Sequence, residues 1–222
     1  MPNYLNYILS SVGALLILIS TLGYISNSLN WKYFNYGITH LLYDLGAIIH
    51  ETSHAILCFL TGAKIVEYKV FVKQPRVTYA EPRLPLIGNA LISIAPIAGG
   101  LVFLYLINKY LLAGYFVVPV FHTWNDLFLG VWNILKQFNI LHWQSWIMTV
   151  LFINVGAMMG PSYRDLKNTW ILLLVLLFAH INILINTGLI ALALIIVNIL
   201  IQFVAIILLQ LFKLFRFDSD LD

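Results

Sequence analysis

Charge is what this chain has least of. Asp, Glu, Lys and Arg make up 9% of its 222 residues, where a soluble domain carries roughly 25%. Twelve basic and nine acidic side chains cannot solubilise a chain that is 61% hydrophobic. That excludes an ordinary soluble globule and a disordered chain. The lack of a basic face excludes a nucleic-acid-binding domain. A single cysteine excludes a disulfide framework and any Cys-based zinc finger. No Lys or Arg precedes Lys32. The first apolar run therefore lacks the basic flank of a cleaved signal peptide and reads as a retained helix.

What is present is a series of apolar runs near the roughly 20 residues a bilayer core demands. They lie at Leu5–Leu29, Tyr36–Gly62, Leu86–Asn108, Ile140–Gly160, Asn168–Thr187 and Gly188–Phe212. The last two meet at Asn186-Thr187-Gly188, a turn signal. This predicts an all-α polytopic membrane protein with about six transmembrane helices, forming a single domain over 1–222. Tyr110–Phe121 is too short to cross and holds Pro119, so it reads as a partly buried or re-entrant loop. The Trp-rich stretch His122–Gln144 has the composition of a membrane-surface segment.

One stretch has strand character. From Lys64 to Tyr79, β-branched and aromatic residues alternate with Lys and Glu, and Gln74-Pro75 supplies a turn. It reads as a small β-hairpin at the membrane surface. With six spans, nine basic residues fall on the side of the termini and the hairpin, and Lys32, Lys109 and Lys136 on the other. The positive-inside rule then places both termini in the cytoplasm of a multi-pass protein, in the cell membrane by preference.

Inside the spans, charge is rare and costly, at about 2.5–3.5 kcal/mol per residue on insertion scales, so it marks function by default. Only Asp44 and Glu51 lie within a span, and Asp165 lies at the edge of one. Glu51 belongs to His50-Glu51-Thr52-Ser53-His54. On a helix, histidines four apart share a face and can bind one metal ion, and the intervening Glu projects toward the open coordination position. There it can take a proton from the attacking water and return it to the leaving amine. Polar packing between helices is the other reading of these residues, and in lipid it is an expensive one.

A catalytic zinc site wants a third protein ligand. Leu60 stands where a third histidine of the metzincin pattern belongs. The later glutamates, Glu67 and Glu81, lie in the hairpin region. Asp126, Asp165, His122, His142 and His180 remain. Asp165 fits best. It follows Pro161, which breaks the helix, and it lies on the same side as His54 and His50, which sit about 12 and 18 Å below the end of their span by helical rise. A helix cap is the other role open to it.

These features together resemble the site-2 protease family of intramembrane zinc metalloproteases. They are His50–His54 within a span, Thr61-Gly62-Ala63-Lys64, a hairpin, Ala95-Pro96 in the next span, and Pro-x-x-x-Asp at 161–165. The resemblance covers roughly residues 36–168. It implies one Zn²⁺ per chain held by His50, His54 and Asp165, with Glu51 catalytic, and cleavage of a transmembrane protein substrate within or near the bilayer. The chain departs from the family in having Leu166 after the aspartate, where many members have Gly. Its nearest upstream asparagine is Asn154. It carries no PDZ or CBS-like domain.

Asp44, two turns before Glu51, is a candidate for a water path or an interhelical contact. Asn89 and Asn154 are candidates for holding an unwound substrate backbone, or for interhelical packing. His180, Asn182 and Asn186 read as helix–helix contacts, and Cys58 as a buried inert thiol. Two rivals stand beside the protease: a catalytically silent membrane scaffold or chaperone, and a metal-dependent transporter. The first has no need of Glu51, and the second wants more intramembrane acids than are available.

Overall fold

The computed structural model describes residues 10–34, 38–72, 75–121 and 123–218. The chain runs α1 (Val12–Phe34), α2 (Ile38–Thr61), β1 (Ile65–Lys69), β2 (Arg76–Tyr79), α3 (Pro85–Leu106), α4 (Asp126–Leu135), α5 (Trp143–Leu151), α6 (Tyr163–Leu176) and α7 (Asn182–Asp218). Wide π turns extend α3 over Ile107–Leu111 and α5 over Phe152–Gly156. Three helices are long and apolar enough to cross a membrane: Val12–Phe34, Pro85–Leu111 and Asn182–Leu211. The polar α2, at 24 residues, is about 36 Å long by helical rise.

Apolar side chains both fill the core and cover the outside, and a minority of polar residues is buried between the helices. Large apolar side chains such as Ile25, Tyr105, Phe203 and Val204 face outward. Ser26 on α1 is buried against α7, where it donates to Gln202 Oε1 at 3.0 Å and also bonds Asn198. Such hydrogen bonds and small residues hold helices together where no hydrophobic drive exists between them. Gly23 on α1 shows the second device. A Cβ there would sit 2.4 Å from the Gly160 Cα. Gly23→Ala is therefore expected to push α1 off the segment ahead of α6 and to cost about 1–3 kcal/mol, the usual range for overpacking. Thermal melting in detergent, with bound metal assayed alongside, checks it; an unchanged melting temperature would refute the close packing.

Three of the expected spans differ: Asn168–Thr187, Gly188–Phe212 and Ile140–Gly160. The turn expected at Asn186–Gly188 is helix, because α7 runs through it. Thr187 returns its hydroxyl to Ile183 O at 2.8 Å, and Gly188 leaves room for Leu15. The break falls earlier, at residues 177–181, where Val12 N–H donates to Ala179 O at 3.1 Å and so serves the end of α6 from the start of α1. The expected span Ile140–Gly160 is the nine-residue α5 plus its π turn, followed by irregular chain through Ser162. The chain can leave the helix there because residues 154–161 are buried by protein, and irregular backbone at depth is tolerated when protein buries it.

The loop after α3 folds back as expected of a partly buried segment. Phe116 and Phe121 enter the core, and the Asn108 side chain pairs with both backbone groups of Phe116. The hairpin follows α2, with β1 and β2 antiparallel. Gln74, at its expected turn, lies outside the described residues. Glu67 is clamped by Arg76 at 2.9 Å and Lys69 at 2.6 Å. Hydrogen bonds from these two cations hold its carboxyl down to about 2.

Candidate metal centre

The site begins with a helix defect. Pro96, inside α3, has no N–H. The carbonyl four residues earlier, on Ile92, therefore has no i+4 helical donor. His54 supplies one: its Nδ1 lies 2.7 Å from Ile92 O. The same thing happens to His50, whose Nδ1 lies 2.7 Å from Met158 O in the irregular chain after the π turn. A carbonyl only accepts, so each Nδ1 carries the proton and donates. That leaves both Nε2 atoms as bare lone pairs. They face each other at 3.1 Å.

Two lone pairs held face to face call for positive charge between them, and a metal ion can supply it. Metal-binding histidines commonly give their other N–H to a backbone carbonyl or carboxylate in this way. Asp165 completes the group, with its Oδ2 3.6 Å from His54 Nε2. The three ligand atoms all lie within 4.8 Å of one another, so the group can hold a metal ion. Among the described residues it is the one such cluster of His, Cys, Asp and Glu.

Asp165 reaches this position from the first turn of α6. Ser162 caps that helix, and Asp165 Oδ2 accepts from Ser162 N–H at 2.8 Å and from its hydroxyl at 2.6 Å. The two roles open to Asp165, cap and ligand, thus coincide in one carboxylate. The capping box locks the rotamer that points it at His54.

Glu51 stands beside the ligands and lines with them a cavity of about 350 Å³. The other walls are Pro75, Arg76, Val77 and Tyr79 of the hairpin and Ser162 and Arg164 ahead of and within α6. The hairpin is tied to α2 by the Tyr68 and Thr52 hydroxyls, 2.7 Å apart.

The other expected candidates lie elsewhere. Asp126 accepts from Thr123 at the start of α4. His142 is exposed at the head of α5, 5.5 Å from the Tyr115 ring. His180 lies in the α6–α7 turn, 3.4 Å from Ser10 Oγ. His122 is outside the described residues. Asp44 and Asn89 are half-buried on α2 and α3 and do not line the cavity. Asn154 is buried in the π turn beside Gly46, donating to Val150 O. Cys58 is buried with Ala63 and Ile92.

Sequence reasoning missed the two carbonyls and Ser162. A signal existed for two of the three: a proline four residues after Ile92, and a Ser-x-x-Asp capping pattern at the start of α6. Pro96→Ala returns a helical donor to Ile92 O and competes with His54. It is expected to improve α3 as a helix yet weaken metal binding about 10–100-fold, the usual effect of losing an outer partner. Metal titration against a chelator checks this; unchanged affinity would show that Ile92 O does not orient the ring. Comparison of the chain with family models, curated proteins and solved structures finds no match.

Proposed function

We propose that the chain is an intramembrane zinc endopeptidase of the site-2 protease kind, cutting peptide bonds of transmembrane protein substrates. The observation that carries this reading is the convergence of two bare Nε2 atoms and one carboxylate beside Glu51 in an open cavity. Two nitrogens bound to one tetrahedral zinc ion lie about 3.3 Å apart, given Zn–N bonds of 2.0–2.1 Å. The 3.1 Å spacing fits that ion. Two imidazoles and one carboxylate are also the donors zinc takes in catalytic sites, which leave one position open.

Zinc held there supplies positive charge that polarises the scissile carbonyl and makes water a better nucleophile near neutral pH. The rest is the work of the chain. His50 and His54 are held to one tautomer by Met158 and Ile92. Ser162 keeps Asp165 in place. Glu51, the acid in the cavity outside the ligand set, accepts the proton of the attacking water and delivers it to the departing amine. A base in that position argues against a silent scaffold, which has no use for one.

In this reading α2 also crosses the membrane, and both termini and the hairpin face the cytoplasm. A transmembrane helix must unwind before its peptide bonds are reachable. The hairpin edge offers an extended segment backbone partners. Deleting the hairpin tip is expected to cripple cleavage while leaving zinc content intact. Cleavage at the full rate would remove the hairpin from the mechanism. The whole reading is tested by elemental analysis of purified protein together with cleavage of a transmembrane reporter in liposomes. Protein free of zinc and inert toward every reporter would overturn it.

A further inference from the structure

Two of the long apolar helices leave a groove between them. On α3, Leu91, Ile94, Ala98, Leu101, Tyr105 and Asn108 recur every three or four residues and so share one face. On α7, Leu184, Thr187, Ile190 and Leu194 do the same. Between the two stripes lie cavities of about 330 and 270 Å³. They meet at Leu101 and Thr187, which line both. Leu15 and Ile19 of α1 close one end of the groove from behind, and Met148 and Phe152 close the other. The groove shares no lining residue with the cavity at the metal centre.

The walls have little that is polar to offer. Thr187 gives its hydroxyl proton to its own helix at Ile183 O, and the Asn108 side chain is committed to both backbone groups of Phe116. An occupant must therefore be apolar along its length. From Leu91 to Asn108 the groove runs about 25 Å by helical rise, most of the roughly 30 Å of a bilayer core. Spread over that length, the two cavities are narrower than the 10–12 Å of an α-helix with its side chains. A hydrocarbon chain fits, and it restores the contacts that the walls of an empty groove lack.

The mouth is cationic. Lys109 follows Asn108, and its Nζ lies 5.6 Å from the ring centroid of Tyr105, a wall residue, and 5.3 Å from that of Tyr110. Lys109 enters none of the ion pairs among the described residues. Lys and Tyr together at the end of an apolar helix mark the level of lipid headgroups. One leaflet is about 15 Å deep, half the core. A chain hanging from Lys109 thus reaches back about ten residues along α3, to near Ala98 and past the junction of the two cavities.

We propose that the α3–α7 groove binds one acyl chain of an anionic glycerophospholipid, with the lipid phosphate held at Lys109. A zwitterionic lipid brings a cation of its own to the same place, so the site selects by net charge. The test titrates the delipidated full-length protein in detergent with dioleoylphosphatidylglycerol and, separately, with dioleoylphosphatidylcholine. Bound lipid is counted by native mass spectrometry. One saturable site is expected, about 5-fold tighter for the phosphatidylglycerol, as one lysine near a membrane surface contributes. Lys109→Gln should remove that preference and leave phosphatidylcholine binding unchanged. Lys32→Gln, which takes an equal charge from the end of α1, should leave the preference intact. Thr187→Phe puts a ring into the junction and should weaken both lipids about tenfold, the loss of roughly two buried CH₂ groups. Ala98→Phe makes the same intrusion from α3 and decides the matter if Thr187→Phe melts early.

A preference that survives Lys109→Gln, or that falls equally in Lys32→Gln, would overturn the headgroup site. Binding unmoved by both ring substitutions would overturn the groove as the place of the chain. Lipid counts that rise without saturating would show solvation by lipid only and overturn both parts. A dimer that Thr187→Phe dissociates, with lipid binding unchanged, would assign the groove to a second copy of the chain and overturn the proposal.

Discussion

Glu51→Gln is expected to lower cleavage of a transmembrane reporter by about 10²–10⁴-fold, the range general acid–base groups contribute, with metal content unchanged. The two halves of the result follow from separate facts. His50, His54 and Asp165 form the group that can hold a metal ion, and the substitution touches none of them. The proton transfers need a carboxylate, and an amide of the same shape cannot accept a proton near neutral pH. That range corresponds to about 2.7–5.5 kcal/mol of barrier. Single-turnover cleavage in liposomes with parallel elemental analysis measures both halves. Full-rate cleavage by the variant would sink the mechanism. Loss of metal would move Glu51 into the ligand set.

Asp165→Asn is the second large effect, and it separates ligand from cap. The native carboxylate does both jobs, bonding Ser162 at 2.6 and 2.8 Å and approaching His54 at 3.6 Å. Asn keeps an oxygen for the cap and gives up the charge. Metal affinity is therefore expected to fall by more than the 10–100-fold typical of an outer partner, with the thermal stability of the metal-free protein nearly unchanged. Asp165→Ala should lose metal to the same degree and also about 1 kcal/mol of helix capping. Ser162→Ala should show the outer-partner effect alone. Competition with a chromogenic chelator ranks the three. Full metal occupancy in Asp165→Asn would place the third ligand elsewhere.

The site was more legible in the chain than the fold. His50, Glu51 and His54 announce themselves because intramembrane charge is expensive, so its presence needs a cause. Asp165 could be reached from Pro161 because a broken helix is what lets a flanking residue turn inward. The helix boundaries were harder. Asn186-Thr187-Gly188 has turn composition but lies within α7, because Thr187 bonds its own helix and Gly188 receives Leu15. Turn residues signal a break only when no neighbour uses them, and the neighbours come from the other end of the chain. The nine-residue α5 escaped for a related reason. Apolar length alone cannot tell a lipid-facing helix from a short one sheltered by protein.

The main-chain anchors of the two imidazoles have an evolutionary consequence. Substitution can delete a side-chain partner, but it cannot delete a backbone carbonyl. Positions 92 and 158 should therefore accept many residue types in a saturation library with the ring orientation preserved. The restriction moves to Pro96, which contributes no atom to the centre and acts by the bond it fails to make. A deep mutational scan scored on metal retention should show a tolerant Ile92, a tolerant Met158 and a nearly invariant proline four residues beyond the first of them.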